Sequence, residues 1–414
     1  MDQLARRLGV PDAVVIGLGS MLGAGVFVVF APAAAAAGGS GLLLLALALA
    51  GFVAFCNATS SARLAARYPE SGGTYVYGRE RLGPFAGFVA GWGFVVGKTA
   101  SCAAMALTIG AYLWPGQARP VAVAAVVAVT AVNLRGIGKT AGVTRALVVV
   151  TLTVLALVAV TGLAGGGFTA TRLGTGGGTP GYGVLTAAGL LFFAFAGYAR
   201  IATLGEEVRD PERTIPRAVP LALGLVLAIY LTLAVVALGV LGPDRLAAST
   251  APLADVVTAA GWPGAAWLVR AGATVAVTGV LLSLVAGVGR TLLAMARRRD
   301  LPGALAAVHP HRQVPHRAEL AVAAIVILVV TLGDVRDAIG FSSCTVLVYY
   351  AVTNASALTL GRDPARKLPV QTLAALGLAG CVLLAVTLPP ASVLAGFGVL
   401  ALGATWYALR HHLV

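Results

Sequence analysis

Apolar stretches too long for any soluble core follow one another along the whole chain, and they dictate what its surface must face. Twelve of them lie at about 11–37, 41–62, 84–113, 119–134, 140–163, 182–204, 217–241, 262–295, 319–333, 337–358, 370–387 and 391–408. A helix of roughly 20 apolar residues spans the hydrocarbon core of a bilayer. Hydrophobic residues make up 59% of the chain and charged residues only 11%, whereas soluble domains carry about a quarter charged residues. A soluble protein of 414 residues has too little polar surface here to cover so much apolar material. Lipid must be part of its solvent, where only helices and closed barrels satisfy the backbone. The stretches lack strand-like alternation, so helices are expected. The sequence therefore predicts an all-α polytopic membrane protein with twelve transmembrane helices.

Charge gives the orientation. The N-terminal MDQLARRLGVPD has no small-residue cleavage site after an apolar run, so no signal peptide is expected. With the N-terminus placed in the cytoplasm, 21 of the 29 Lys and Arg residues fall in cytoplasmic segments. Four, Arg119, Arg172, Arg245 and Arg336, fall outside, and the remaining four, Lys98, Arg200, Arg270 and Arg290, lie within spans or near their ends. This asymmetry obeys the positive-inside rule and predicts a multi-pass protein of the cytoplasmic membrane with both termini inside. The net charge of +14 is thus dispersed through loops, and no nucleic-acid partner is expected. Cys56, Cys102, Cys344 and Cys381 sit in apolar runs without metal spacing and read as small buried hydrophobes. The five histidines lie in the loop after span 8 and at the C-terminus, with no carboxylate cluster at mid-span. No catalytic constellation, metal site or cofactor site is expected.

The loop 165–181 is rich in Gly and Thr and divides the first five spans from the next five. Span 1 is interrupted by Gly19, Gly23 and Gly25, and span 6 by Ala196-Gly197. Gly19 and Gly23 have the Gly-x-x-x-Gly spacing of close helix packing. The matched weak point in span 6 instead favours local unwinding, the pattern of an inverted repeat. The expected units are a first repeat at 11–163, a second at 182–358, and two extra helices at 370–408. An unwound turn at midplane frees backbone donors and acceptors that are costly in lipid unless a polar group meets them. The half-helix N-terminus beyond a break offers N–H groups to a carboxylate, and the carbonyls before it offer acceptors to an ammonium.

Four stretches carry a resemblance. They are Gly-Ser-Met-Leu-Gly-Ala-Gly-Val-Phe at 19–27 and Tyr68-Pro-Glu-Ser-Gly-Gly-Thr-Tyr-Val-Tyr77 with Gly87 and Gly91-Trp92. The third is Phe192-Phe-Ala-Phe-Ala-Gly-Tyr198 with Glu206-Glu-Val-Arg-Asp-Pro-Glu-Arg-Thr-Ile-Pro216, and the fourth Gly289-Arg290 with Ala294-Met-Ala-Arg297 and Leu301-Pro302. Together, and in this order, they resemble amino-acid permeases of the amino acid–polyamine–organocation family, which share a leucine-transporter-like fold. The resemblance implies that a substrate carboxylate meets the backbone of Gly23, Ala24 and Gly25. It implies that the amino group meets carbonyls near Ser20, Met21, Phe193 and Ala196, beside Gly197. Phe193 and Phe195 are then gate or pocket-wall residues, or simply packing residues.

Two departures bear on coupling. Many members carry a lysine in span 5, thought to replace a sodium ion bracing span 1 against spans 5 and 8; the aligned residue here is Thr151. Some carry a carboxylate just past the span 6 break; here it is Ala199. Lys98 lies well inside span 3, where an ionisable residue is costly and is by default a functional candidate. It is read either as a cation lining the path, standing in for the missing lysine, or as a snorkelling side chain. Ser283 in span 8 is a coupling candidate or a hydroxyl bonded to its own helix. Glu206 and Glu207 are inner-gate candidates or a solvated helix end. No Asp or Glu sits at mid-span, so a neutral amino acid is the expected substrate, with a proton or a counter-substrate as coupling partner. The alternatives are a cationic amino-acid or polyamine permease or exporter of the same fold, and a non-transporting membrane sensor.

Overall fold

The computed structural model describes residues 8–68, 72–136, 141–174, 181–202, 208–361 and 370–412. Among them there is no strand, only a single parallel bridge between Leu8 and Val208. Every expected span coincides with a helix or a broken helix. Span 1 is α1 (Val10–Met21), α2 (Ala24–Val28) and α3 (Phe30–Ala37); span 2 is α4 (Ser40–Arg67). After the short α5 (Thr74–Leu82) come α6 (Pro84–Leu113), α7 (Ala118–Leu134) and α8 (Ala141–Ala164). Span 6 is α9 (Tyr182–Phe195) with α10 (Ala199–Ala202), and α11 (Pro211–Ala248) follows. The loop helix α12 (Pro252–Ala259) leads to α13 (Ala266–Arg297), α14 (His316–Leu332), α15 (Val335–Leu358), α16 (Val370–Val386) and α17 (Pro390–His412).

Ten of these segments are long and apolar enough to cross a membrane. The two that fall short are α14 and α16, each of 17 residues. At 1.5 Å per residue a 17-residue helix rises about 26 Å, less than the ~30 Å hydrocarbon core. Span 7 extends beyond its expected end because α11 continues through Gly242, whose φ of 74° turns the chain before Pro243. Local chemistry sets the ends elsewhere. Asp334 caps α15 by accepting from the N–H groups of Arg336 (2.7 Å) and Asp337 (2.9 Å), as N-cap carboxylates do. Gly38, at φ 72°, closes α3 in the left-handed region.

Burial separates an inner set of helices from an outer one. In the most apolar window of α6 and of the α9–α10 span, 78% of residues are buried, against 28% in α7 and in α17. Exposed Leu and Val side chains on α7, α8, α14 and α17, such as Val127, Val160, Leu328 and Leu402, are what a lipid-facing wall requires. Inside this wall α2 packs on α9, α4 on α11 and α6 on α13. Each contact joins a helix of the first five spans to the one five spans later.

Candidate substrate site at the paired helix breaks

Both interrupted spans are broken. α1 stops at Met21, Leu22 adopts φ −80°, ψ 46°, and Gly23 adopts φ −99°, ψ −144° before α2 begins. α2 then continues into α3 with helical dihedrals at Val29. α9 stops at Phe195, Ala196 leaves the helix at ψ 2°, and α10 resumes at Ala199. The two breaks touch. A Cβ placed on Gly197 would lie 2.3 Å from the Ser20 carbonyl oxygen, and one on Gly25 would lie 2.6 Å from the Ala194 Cα. Only glycine permits this approach, because a side chain would overlap backbone rather than a movable group. Gly197 is thus brought against Ser20 and Met21, and Gly25 against Ala194, while Gly23 faces Val280 of α13.

Side chains from other helices meet the carbonyls that the breaks release. The Tyr230 hydroxyl, from α11, lies 2.7 Å from Met21 O and 3.0 Å from Ala194 O, so one proton is shared between the two broken spans. The Ala196 carbonyl accepts from Lys98 Nζ (3.4 Å) and from the Tyr350 hydroxyl (3.1 Å). Phe27 O accepts from the Tyr112 hydroxyl (2.7 Å). These contacts supply the partners that buried backbone groups need. Sequence reasoning missed Tyr112, Tyr230 and Tyr350. The available signal was a tyrosine in an apolar helix, whose hydroxyl must find a partner when buried.

The aromatic candidates differ in placement. Phe195 is fully buried and packs edge-on against Tyr230 at 5.1 Å between ring centres. Phe193 is partly buried against the same core. The hydroxyl of Ser20 donates to Ile16 O, one turn back.

Of the coupling candidates, Lys98 is 8% exposed and reaches the second break. Thr151 lies elsewhere, beside a cavity of about 20 Å³ between α1, α8 and α13 that Gly19, Thr144 and Val280 also line. That volume holds about one water. Lys98 therefore meets span 6 rather than the junction of spans 1, 5 and 8, and the two candidates belong to separate places. Thr151 donates to Leu147 O at 2.8 Å and Ser283 to Gly279 O at 3.4 Å, each bonding within its own helix. Glu206 and Glu207 lie outside the described residues.

The charged end near the N-terminus is held by other groups. Asp12 pairs with Arg145 on α8, and Leu8 accepts from Arg209 N at 2.9 Å. Asp300, 2% exposed, accepts from Arg79 (2.9 Å) and from the Tyr75 hydroxyl (2.5 Å), and its carbonyl accepts from Trp406 at 3.1 Å. This ties α5, the end of α13 and α17 together. Burial, and then the bond to Asp300, push the Tyr75 phenol far above its usual range.

Residues 12–386 match the amino acid permease family. The chain belongs to that family. As a permease-family chain it is a multi-pass membrane transporter rather than an enzyme, and its transport class is that of amino acids. It is 61% identical over 99% of its length to an uncharacterized transporter of Mycobacterium tuberculosis, covering 92% of that protein. It is 28% identical to vacuolar cationic amino acid transporter 2 of Arabidopsis thaliana over 89% of this chain and 62% of that protein. The branched-chain amino acid permease BcaP of Bacillus subtilis is 26% identical over 76% of this chain and 72% of its own. The crystal structure of MhsT in complex with L-phenylalanine superposes with a TM-score of 0.66 over 94% of this chain and 99% of that one, at 16% identity. The permease thus shares the leucine-transporter fold.

Proposed function

We propose that this permease moves a neutral amino acid across the cytoplasmic membrane by alternating access, coupled to protons or to exchange. In this reading its twelve helices form two inverted five-span repeats, 11–163 and 182–358, followed by two extra helices at 370–408. Both termini face the cytoplasm. The observation that carries the reading is the contact between the two breaks, where Gly197 abuts Ser20 and Tyr230 bridges Met21 and Ala194. A zwitterion entering there replaces these internal bonds with its own. Its carboxylate meets the N–H groups around Gly23, Ala24 and Gly25, and its ammonium meets the carbonyls near Ser20, Met21, Phe193 and Ala196. Helix termini of this kind favour such charges.

Neutrality of the side chain is supported by the surroundings of the breaks, where Lys98 supplies a cation and the neighbouring residues of spans 1 and 6 supply no carboxylate. A cationic substrate is the second reading, favoured by relatives named as cationic amino acid transporters. Glu206 and Glu207 serve as inner-gate candidates in either case, and Thr151 and Ser283 as candidates for coupling.

Purified protein in liposomes, given labelled L-leucine, L-phenylalanine and L-arginine under proton, sodium and counter-substrate gradients, tests the proposal. Saturable uptake of a neutral amino acid is expected. Preference for L-arginine transfers support to the second reading, and no flux of any amino acid under any gradient overturns both.

A further inference from the structure

Lys98 occupies an unusual position for a cation. It is almost fully buried among apolar helices, and no carboxylate lies within ion-pair distance of it among the described residues. Its partner is the carbonyl of Ala196, the residue at which the chain leaves the helix at the second break. In the reading proposed above, on which this inference rests, a substrate ammonium uses carbonyls at that same break. Two ammonium groups cannot share one carbonyl in a low-dielectric interior without strong repulsion.

Apart from the carboxylate that the substrate itself brings to the Gly23–Gly25 break, no carboxylate among the described residues pairs with Lys98 to offset a second positive charge. On its own helix Lys98 faces Cys102. From α15 it faces Tyr350, which shares the Ala196 carbonyl and stacks on Tyr198. From α13, Arg270 is engaged with the carbonyls of Ala111 and Tyr112, and Arg290 acts on Glu319. The segment Ala24–Val28 that packs on α6 contains no titratable side chain. A displaced Lys98 ammonium thus has no protein carboxylate to move to among these groups, and the substrate carboxylate is already held by the N–H groups of the first break, whereas a neutral amine remains tolerable in the same place.

We propose that the Lys98 ammonium and the substrate ammonium exclude one another at the Ala196 carbonyl, which makes this protein an amino acid/proton antiporter. The balance is simple. When the amino acid binds, the N–H bond of the Lys98 ammonium breaks and its proton passes to water on the side from which the amino acid came. The loaded carrier crosses with a neutral amine. After release on the far side, the amine takes a proton from water there and the carrier returns protonated. One proton moves opposite to each amino acid. Where the proton gradient is directed into the cell, it then drives the amino acid outward, so the physiological direction is export.

Liposomes containing a pH-sensitive dye test this with L-leucine, L-phenylalanine and L-arginine as probes. In wild-type protein, uptake is expected to alkalinise the lumen, and an inside-acid gradient to speed uptake. Calorimetry of amino-acid binding in buffers of different ionisation enthalpy is expected to register proton release. Lys98→Met is expected to lose the released proton in calorimetry and the lumenal pH change per amino acid moved. Lys98→Arg, a cation that cannot be discharged, is expected to weaken binding at least about tenfold. Lumenal acidification during wild-type uptake, or uptake with no pH change, overturns the proposal and leaves amino-acid transport standing. So does a Lys98→Met protein that still releases a proton on binding. Absence of binding and flux for every probe overturns the amino-acid reading itself.

Discussion

The Tyr230 hydroxyl touches one carbonyl from each broken span, so its loss is felt by both. Tyr230→Phe leaves two buried carbonyls short of a donor, a cost of about 1–3 kcal/mol. Lower melting temperature and at least a severalfold fall in uptake are expected, read by thermal denaturation in detergent and by liposome flux. Unchanged values in both assays would show that the bridge is dispensable. Residues of this type were the least legible in the sequence. Gly197 and Gly25 announced themselves, since small residues clustered in an apolar span have few uses. Tyr230 is the single tyrosine of span 7 and Tyr350 one of an adjacent pair with Tyr349 in span 10, and only the fold brings the hydroxyls of Tyr230 and Tyr350 to the breaks. Lys98 was legible as an anomaly by its charge alone. Its partner, the Ala196 carbonyl, was not, because a lysine's reach depends on which helix lies across from it. Ser283 and Thr151 illustrate the opposite case: both hydroxyls donate within their own helices.

Among the helices, the breaks depend on contacts that a single methyl group disrupts. In Gly197→Ala or Gly25→Ala the added carbon meets backbone at 2.3 Å and 2.6 Å respectively. Overpacking of this kind costs about 1–3 kcal/mol, and uptake is expected to fall more than tenfold. Gly287→Ala in α13 is the control, since nothing lies within 4 Å of the new carbon. Helix propensity favours that change by up to about 1 kcal/mol, so stability is expected to hold or rise with uptake retained. Equal damage at all three positions would remove the argument from close approach. A separate prediction concerns the tie between α5, α13 and α17. Asp300→Asn leaves Arg79 without its anion and is expected to cost about 3 kcal/mol, seen as an earlier melt and faster proteolysis of the 298–315 loop. Retention of wild-type melting would count against it. This junction was invisible to sequence reading, because Asp300 lies more than two hundred residues from Arg79. The breaks themselves were visible, because their cause is local.

For the molecule as a whole, the positive-inside asymmetry yields a labelling test. All four native cysteines are buried, so a membrane-impermeant thiol reagent reports only introduced ones. In intact cells Thr171→Cys, on the loop after α8, is expected to label, and His311→Cys, on the loop after α13, only after permeabilisation. Both positions are exposed on the protein. The reverse pattern would invert the orientation, while the direction of substrate movement, set by the proton gradient, would stand. The helix order was readable from the apolar runs, because lipid leaves the backbone so few choices. The lengths were less so. α14 is bounded by Pro315 and Gly333, and its 17 residues reach about 26 Å. A bilayer that meets this flank must pinch inward by several ångströms or leave polar ends in hydrocarbon, at a cost of fractions of a kcal/mol per ångström. Host lipids with short acyl chains relieve that mismatch and long ones aggravate it. The speed of this permease should therefore track the acyl-chain length of the membrane in which it is reconstituted.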